Sequence, residues 1–453
     1  MANTYLVRTP SSAGNRKTFT ISTWLKRSKL SYSYAYVITA GEYNQDQMGQ
    51  LKFDDNDRLN FSGYNSGGSQ EFRILTTRRF RDVSGWYHIV VSVDTTQATA
   101  SNRVKIYINN EQVTAFEEAS YPSQNYDSAF NLNGIQSNIG IRAGTATYFE
   151  GCMSHFHLVD GSALAPTVFG STDATTGEWK INTSPSYTVG TNGFFILKDT
   201  NSGTDQSANS NNYTVGSGTL TKTEDCPSNV FATLNPLVRN KSYNDGTLTN
   251  GNLGFAPNGR AVTCSTLGVT SGKYYAEFKA TDAGGLYLGA GLMKGITSQG
   301  QTNPIWYDNT TGYAIAIADN GTLQAGSSTS ASYGPTFADN DIIGIALDMD
   351  NKEMYIHKNG TYMNSGDPTS GANKTGGVTG ALSYNPFDDG EEVFFMVADI
   401  SAGGVGECQC NFGNGYFGTT AISSAGTNAS NIGIFEYDVP SGYTALCTKG
   451  LNE

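Results

Sequence analysis

Residues 341–360, DIIGIALDMDNKEMYIHKNG, contain two alternating segments separated by a short polar break. Apolar side chains take every second position of IIGIALDM, which is the side-chain period of a β-strand. The second segment ends at Asn359-Gly360, two residues that readily adopt the positive φ angles of a tight turn. The stretch therefore predicts an antiparallel hairpin in a large sheet.

Residues 86–113, in the first half of the chain, repeat this order more loosely. The segment YHIVVSVD alternates, a polar loop TTQATASN follows, and VKIYI then runs into Asn109-Asn110. Each half thus places a strand ending in Asp, a polar connection, a strand with a Tyr and an Asn turn in that order. The repeated order predicts one β-architecture used twice.

Length and composition agree with this prediction. The chain has 453 residues, enough for two sandwiches of roughly 200 residues each. Its 53 Gly, 26 Tyr and 22 Phe suit many short strands and tight turns. The net charge of −12 argues against nucleic acid and anionic lipid as partners, because both would be repelled, and it permits neutral or cationic ligands.

The cysteines do not form a zinc-binding or disulfide pattern. No C-x-x-C pair is present and only 4 His accompany them. We expect free, buried thiols and assembly in a reducing cytoplasm. The first residues contain no apolar leader and no run is long enough to span a membrane, so we expect no signal peptide. The six positions are Cys152, Cys226, Cys264, Cys408, Cys410 and Cys447.

Two known families share these motifs. Residues 341–360 resemble the signature strand pair of SPRY domains, in which a D-x-I-G-x-x-x-D strand leads to a second strand that ends in K-N-G. Residues 271–279 resemble the G-K-x-Y-x-E strand of the same family. Residues 86–113 resemble laminin-G-like and pentraxin-like domains, supported by FTISTWL at 19–25 and FEGCMSHFHL at 149–158. Because both families have the concanavalin-A-like jelly roll, the resemblance implies an all-β chain of two such β-sandwiches in tandem.

Composition suggests where these modules end. We expect a laminin-G/pentraxin-like sandwich over residues 1–192 and a SPRY-like sandwich over 241–437. The Asn-, Ser-, Gly- and Thr-rich residues 193–240 predict an irregular junction. Residues 438–453 then form a C-terminal extension.

The junction also carries a resemblance. KDTNSGTDQSANSNNYTV and CPSNVFATLNP resemble linkers in tail-fibre and other virion proteins of marine bacteriophages, in which a laminin-G-like module passes into a SPRY-like one. The closing VPSGYTALCTKGL resembles a module boundary of the same proteins. The resemblance implies a virion protein with other virion proteins as partners, and virion symmetry implies a homo-oligomer.

Motifs of catalysis are absent from the sequence. It has no E-x-D-x-x-E strand, G-x-S-x-G elbow, H-E-x-x-H helix or Gly-rich phosphate loop. His155 and His157 share a predicted strand face without a third ligand. The acidic residues 54–57 could hold Ca²⁺, but Asp- and Asn-rich hairpin turns are commoner. We therefore expect no enzyme, and no specific motif supports a metal or cofactor.

Ligand binding is the better expectation. Tyr, Asn and Asp in polar loops offer stacking faces and paired hydrogen-bonding groups for sugar hydroxyls. A structural alternative is that such loops fold onto the edge of the sandwich. The candidate binding residues are Trp306, Tyr307, Asp308, Asn309, Tyr333, Tyr43 and Asn44.

These observations lead to one main hypothesis and two rivals. The main hypothesis is a non-enzymatic virion surface protein, part of a tail fibre or appendage, that binds host cell-surface glycan for adhesion. The first rival is a structural decoration or cement protein that makes only protein–protein contacts. The second is a glycan-degrading enzyme, which would need a carboxylate pair about 5 to 9 Å apart in a cleft.

Overall fold

The computed structural model describes residues 3–31, 33–198, 202–238, 247–296, 313–325, 329–382, 384–401, 403 and 405–452. The chain divides into two units, Met1–Lys222 and Thr223–Glu453. Each unit is a β-sandwich, so the predicted fold class of two tandem concanavalin-A-like jelly rolls is confirmed.

The first unit contains sixteen described strands in three sheets. The order is β10-β6-β5-β4-β3-β11-β1-β16 in an eight-stranded sheet and β15-β12-β2-β7-β8-β9 in a six-stranded sheet, with β13-β14 as a separate pair. The strands are β1 (Tyr5–Arg8), β2 (Thr18–Arg27), β3 (Ala35–Ala40), β4 (Met48–Phe53), β5 (Arg58–Tyr64), β6 (Gln70–Arg79), β7 (Tyr87–Asp94), β8 (Val104–Ile108), β9 (Glu111–Gln112), β10 (Phe116–Ser120), β11 (Ser137–Ile139), β12 (Gly151–Asp160), β13 (Gly170–Thr172), β14 (Trp179–Ile181), β15 (Phe194–Ile196) and β16 (Thr214–Ser217).

The second unit repeats this arrangement. An eight-stranded sheet has the order β17-β18-β29-β20-β25-β26-β27 with β32 also paired to β20, a six-stranded sheet has the order β19-β28-β21-β22-β23-β24, and β30-β31 form a pair. The strands are β17 (Thr247–Thr249), β18 (Gly254–Ala256), β19 (Ala261–Cys264), β20 (Lys273–Asp282), β21 (Leu286–Leu292), β22 (Ala314–Ala318), β23 (Thr322–Gln324), β24 (Ser330–Ser332), β25 (Ile342–Asp348), β26 (Glu353–Lys358), β27 (Thr361–Tyr362), β28 (Val393–Asp399), β29 (Glu407–Asn411), β30 (Tyr416–Phe417), β31 (Thr420–Ala421) and β32 (Thr444–Ala445).

Helical structure is limited to short segments. The described α-helices are α1 (Met293–Ile296) and α2 (Val378–Leu382). Single 3₁₀ turns occur at Ala100–Asn102, Pro166–Val168, Met363–Ser365, Gly371–Asn373, Pro386–Asp388 and Gly450–Asn452. Within the described residues, no helix combines the length and apolar character needed to cross a membrane.

Strand alternation builds the core of each sandwich. In the first unit Ile89 and Val91 of β7 point inward and share one buried cluster with Leu51 and Phe61 of the facing sheet. In the second unit the predicted hairpin is β25 and β26, whose register pairs Ile345 with Ile356. Burial of these alternating apolar side chains is the main favourable term in folding.

The domain boundaries differ from those predicted. Within the predicted junction, β15 pairs with β12 and β16 pairs with β1, so both strands belong to the first sandwich. The predicted C-terminal extension also packs on a sandwich, because β32 runs parallel to β20 and Phe231 bridges to Cys447. Side-chain hydrogen bonds of Asn209 and Asn211 to backbone carbonyls order a segment whose polar composition suggested a linker.

The outer side of the first unit's six-stranded sheet is covered by residues 161–190. Trp179 Nε1 donates to Nδ1 of His88 at 3.0 Å, and His157 Nδ1 lies 2.6 Å from the Tyr187 hydroxyl. Burial lowers the pKa of His88 to about 3. A bulge between Ser154 and His157 interrupts the strand alternation assumed for the predicted histidine pair. Burial lowers the pKa of His157 as well, so His88 and His157 are neutral packing residues.

No disulfide joins any of the six cysteines, all of which lie within the described residues. Their burial is only partly as expected, since Cys152 and Cys226 are half-buried. Cys408 and Cys410 lie on one strand face with their sulfurs 4.0 Å apart, and burial raises the pKa of the Cys410 thiol. They act as small core residues.

Candidate functional site

The eight-stranded sheet of the first unit has two chemically different faces. Along β4, Leu51 and Phe53 join the core. Gln50 and Lys52 alternate with them and therefore point to the opposite side. We call this side the outer face of the first unit.

Two rows of side chains cross this outer face from strand to strand. Residues directly opposite on neighbouring strands share a face, with Cβ atoms about 5 Å apart. In strand order the first row is Asn138, Thr39, Gln50, Ser62 and Arg73, and the second is Tyr36, Lys52, Asn60 and Leu75. Every residue of the two rows except Leu75 carries a hydrogen-bonding group, so the rows form a continuous polar surface.

Apart from the half-buried Arg73, the polar side chains of the rows are buried although they lie outside the core. Thr39 is 0% exposed, Gln50 1% and Asn60 2%. Some groups are paired internally, since Gln50 Nε2 donates to Ser62 Oγ at 2.8 Å and Thr39 Oγ1 donates to the carbonyl of Ile141 at 3.1 Å. Asn138 Oδ1 likewise accepts from Gln136 Nε2 at 2.6 Å, and Arg73 pairs with Glu118 at 3.2 Å.

Five buried side-chain atoms at this face lack a hydrogen-bond partner among the described residues. Each buried unpaired polar group costs about 1–3 kcal/mol, so such a cluster is unfavourable unless water or a ligand reaches it. The atoms are Tyr36 Oη, Gln50 Oε1, Asn60 Oδ1, Arg73 Nε and Arg142 Nε. They give the face an unused capacity for hydrogen bonds.

Lys52 lies against two tyrosine rings on this face. Its Nζ is 3.8 Å from the centre of the Tyr34 ring and 5.2 Å from that of the Tyr36 ring. Such contacts stabilise a cation by about 0.5–2 kcal/mol. Tyr34 is 40% exposed whereas Tyr36 is fully buried, so the contacts lead from solvent down to the sheet.

Arg142 continues this arrangement. Its Cζ lies 5.5 Å from the centres of both the Tyr36 and Tyr43 rings. Tyr43 in turn meets the ring of Tyr64 edge-on at 5.6 Å. The contacts connect two cations and four aromatic rings, which we call the cation–tyrosine array: Tyr34, Lys52, Tyr36, Arg142, Tyr43 and Tyr64.

Burial and like charge set the protonation of the array. Burial, followed by repulsion from Arg142 and Arg73, lowers the pKa of Lys52 to about 8. Burial raises the pKa of Tyr36 to about 12, with Arg142 opposing the rise. At pH 7, Lys52 is therefore mostly protonated and Tyr36 is a neutral hydroxyl.

Two carboxylates near the face pair with arginines outside the cation–tyrosine array. Asp54 forms an ion pair of 2.8 Å with Arg58, and Glu118 forms one of 3.2 Å with Arg73. Among the described residues, no ion pair within 4.0 Å reaches either cation of the array. The two cross-strand rows contain no Asp or Glu, so they offer no acid and nucleophile of the glycosidase kind.

Two residues predicted from the sequence lie beside this face. Tyr43 is 38% exposed and belongs to the array. Asn44 adopts a φ of 64°, and a side chain at Gly68 would collide with its Oδ1, which places it against the neighbouring turn. Their part in ligand binding stays a prediction.

The other predicted binding residues lie in the second unit. Tyr333 is 5% exposed, and its hydroxyl donates to the carbonyl of Gly376 at 2.8 Å. The structure thus places it in the core instead of a solvent-facing loop, because its ring fills space under α2. Four further candidates lie outside the described residues and stay predictions: Trp306, Tyr307, Asp308 and Asn309.

The acidic turn considered for Ca²⁺ is an ion-pair centre. Asp57 is 0% exposed and accepts hydrogen bonds from Arg27 at 3.0 Å, Arg81 at 2.9 Å and the backbone of Ser31 at 2.7 Å. Its oxygens are thus engaged by arginines and backbone. Across the described part of the chain, no group of three or more His, Cys, Asp or Glu is arranged to hold a metal.

The second unit's eight-stranded sheet also buries polar groups on its outer face. Glu277 of β20 is 0% exposed. Both carboxylate oxygens accept two hydrogen bonds each, at 2.8 to 3.2 Å. The donors are the backbone N–H groups of Glu436 and Tyr437, the hydroxyl of Tyr275 and Nδ2 of Asn411. The carboxylate is therefore fully used within the chain.

The C-terminal segment covers this second outer face. Phe435 and Tyr443 share a buried cluster with Tyr275, whose hydroxyl also lies 2.6 Å from Nε2 of His357. Burial lowers the pKa of His357 to about 4, and burial raises the pKa of Glu277 to about 7 although four donors oppose the rise. This polar cluster holds the C-terminal segment against the sheet, and it leaves the buried Tyr362 hydroxyl without a partner among the described residues.

Comparison with known proteins supports both modules. Residues 2–169 match a laminin-G-type model described as the concanavalin A-like lectin/glucanases superfamily. Residues 273–396 match the SPRY domain. The chain thus contains the two modules in the predicted order. No curated protein matches the chain.

Solved structures resemble the chain at low identity. The SPRY domain of human HERC1 is 17% identical with a TM-score of 0.29, over 39% of this chain and 96% of that one. A heptameric SAP-like pentraxin from Limulus polyphemus is 14% identical with a TM-score of 0.28, over 48% and 90%. The LG1-3 region of the laminin alpha2 chain is 10% identical with a TM-score of 0.33, over 90% and 59%.

Proposed function

We propose that the protein binds a glycan through the outer face of its first unit. The observation that carries the proposal is the cluster of buried, unpartnered polar atoms at this face, including Tyr36 Oη, Gln50 Oε1 and Asn60 Oδ1. These atoms are buried in the free chain, so the proposal includes a shift of the side chains that cover them; sugar hydroxyls, which donate and accept hydrogen bonds, then supply the missing partners. The exposed rings of Tyr34 and Tyr43 offer apolar surface for the C–H faces of sugar rings.

Two further observations support binding without hydrolysis. The family model matched by this unit describes a superfamily that includes lectins. The rows that cross the face present amides, hydroxyls and cations without a carboxylate pair. The groups available at this face can hold a sugar, but they do not form the two-carboxylate arrangement that cleaves a glycosidic bond.

We further propose that the protein is a bacteriophage virion surface protein, in a tail fibre or appendage, and that its ligand is host cell-surface glycan. The resemblance of the linker phrases at residues 198–215 and 226–236 supports this setting. Assembly would take place in the host cytoplasm with other virion proteins. A homo-oligomer would present several weak sites in parallel and raise their combined affinity by avidity.

A binding assay on host surface polysaccharide tests this proposal. Tyr34→Ala and Tyr43→Ala remove exposed rings at little cost to the core, so we expect each to weaken binding by about 3- to 10-fold. Tyr416→Ala in the second unit is the control with an equally large deletion. We expect a chelator to leave binding unchanged, because arginines already engage Asp57.

The same assay separates the rival functions. Saturable binding that neither Tyr34→Ala nor Tyr43→Ala weakens would mean that this face is not the binding site. An oligomer that forms correctly and binds no polysaccharide would favour the decoration or cement protein. Release of shortened saccharides would favour the enzyme.

A further inference from the structure

We infer that the glycan bound at this outer face is acidic and places a carboxylate between Lys52 and Arg142. This inference rests on the proposed glycan-binding function and adds the charge of the ligand. The basis of the inference is a local cluster of positive charges, which the negative net charge of the whole chain does not reveal.

The cations at this face are unusual for so acidic a chain. The net charge is −12, yet Lys52, Arg73 and Arg142 converge on one polar surface. Of these, Arg73 has a carboxylate partner in Glu118. The other two have their charges against tyrosine rings, and no carboxylate within ion-pair distance occurs among the described residues.

Burial makes this arrangement costly without an anion. Lys52 is 7% exposed, and Arg142 Nε is buried without a hydrogen-bond partner in the described part of the chain. Desolvation of a charge is unfavourable unless a partner compensates for it. Ring contacts return only part of this cost. A carboxylate from a ligand would provide charge-assisted hydrogen bonds to both cations.

The groups between the cations and the sheet define the rest of the ligand. Gln50 donates through Nε2 to Ser62, which leaves its Oε1 as an acceptor, and Asn60 Oδ1 is a second acceptor. Acceptors need donors, and sugar hydroxyls are donors. The face thus combines sites for hydroxyl donors with sites for an anion. A uronic acid or a similar carboxylated sugar carries both groups on one ring.

Other ligand classes match this combination less well. A neutral sugar would leave Lys52 and Arg142 unpaired, and an inorganic anion would leave the amide acceptors unpaired. An acidic peptide supplies carboxylates but few hydroxyls. The lowered pKa of Lys52 also agrees with an anion as the missing partner, because a bound carboxylate would restore the preference for the charged lysine.

The test uses the full chain and matched pairs of saccharides. Oligogalacturonate and oligomannuronate are compared with their carboxyl-reduced, neutral forms, and poly-glutamate is the peptide probe. Titration calorimetry near 0.15 M salt limits long-range repulsion by the acidic chain, since the Debye length is then about 8 Å. We expect at least one uronate to bind about 10- to 100-fold more tightly than its reduced form, the ratio expected for one charged hydrogen bond.

Variants locate the charge effect. Lys52→Met and Arg142→Met keep the length of an unbranched side chain and remove the cation, so each should abolish most of the preference for the acidic form. Lys105→Met is the control, because Lys105 lies on β8 of the other sheet. Circular dichroism checks that each variant folds. If one of the two cation variants does not fold, the other still tests the inference.

The outcomes distinguish the inference from the proposed function. Equal affinity for acidic and reduced forms, with binding still weakened by Tyr43→Ala, would overturn the acidic ligand and leave glycan binding intact. Binding to neither form of any saccharide would overturn both. Poly-glutamate bound as tightly as the uronates, with loss in Lys52→Met, would show a peptide site and overturn the saccharide.

Discussion

The outer faces of the two eight-stranded sheets use buried polar residues in opposite ways. In the second unit, Glu277 accepts four hydrogen bonds from within the chain, and the C-terminal segment covers the result. In the first unit, Gln50 and Asn60 occupy similar positions on neighbouring strands, and each has an acceptor without a partner among the described residues. The two sheets share a fold but differ in what completes their outer faces.

This difference separates a structural polar cluster from a candidate binding site. A buried polar network that is fully satisfied rigidifies the part of the fold around it. A network with spare acceptors and unpaired cations is completed only by something outside the chain. Burial alone does not make the distinction, because Glu277 and Gln50 are both nearly inaccessible. The partners of the individual groups do, because all acceptors of the Glu277 carboxylate are filled whereas Gln50 Oε1 has no partner among the described residues; the second unit's cluster has one spare hydroxyl of its own, Tyr362 Oη.

The largest effect should come from Glu277→Ala. The substitution leaves four donors without their acceptor, so we expect the second unit to lose about 3–5 kcal/mol of stability. Hydrogen exchange of the full chain measures this at residues 430–440, whose backbone the carboxylate holds. Exchange there should accelerate strongly while residues 48–64 of the first unit stay protected.

The matched substitution on the first unit's face is Gln50→Ala. It removes an amide that has an unsatisfied oxygen, so its cost should be smaller than that of Glu277→Ala. Equal loss of protection in the two units would remove the contrast between the faces.

The second effect concerns the charge of Lys52. Here we expect a gain in stability of the first unit as the pH rises, in contrast to the loss expected for Glu277→Ala. The pKa of Lys52 is about 8 in the folded chain and 10.5 in the reference state, so between these values the folded chain binds fewer protons than the unfolded chain. Stability of the first unit should therefore rise by about 3 kcal/mol as pH rises from 8 to 10.5, since one unit of pKa is about 1.4 kcal/mol. The charged groups that face it are Arg142, Arg73, Asp54 and Asp55.

Lys52→Met isolates this contribution. Three of the 4 Trp lie in the first unit, at positions 24, 86 and 179, so tryptophan fluorescence in urea reports mainly on that unit. The difference in stability between wild type and Lys52→Met should shrink steadily over this pH window. A constant difference would mean that the lysine is not strained by burial and like charge.

The fold was predictable because its determinants are local. The alternation in residues 341–360 and the Asn-Gly turn require only neighbouring residues, and the structure forms the predicted β25–β26 hairpin there. The junction was predicted less well. Residues 193–222 look like a linker in composition, but the side chains of Asn209 and Asn211 hydrogen-bond to backbone that is distant enough to escape local reasoning.

The candidate site could be predicted only in part. Tyr43 was singled out as an aromatic residue in a polar loop, which is a local signal. Gln50 and Asn60 were missed, because each by itself is an ordinary polar residue on an alternating strand. Their meaning comes from sheet register, which places them opposite Ser62 and Lys52. The net charge gives no sign of the cations gathered around Lys52, because it is a sum over the whole chain.

The smallest effect provides the sharpest comparison, because the same substitution can be made on both faces. Asn411 in the second unit uses both ends of its amide: Nδ2 donates to Glu277 and to a backbone carbonyl, and Oδ1 accepts from two backbone N–H groups. Asn60 in the first unit has an Oδ1 without a partner in the described structure. We expect Asn411→Leu to cost about 2–3 kcal/mol and Asn60→Leu to change stability by less than about 1 kcal/mol. Hydrogen exchange of each unit measures both values. Because leucine matches asparagine closely in size, a similar cost at the two positions would mean that Asn60 is satisfied within the chain, and the first outer face would then have no spare acceptor to offer a sugar.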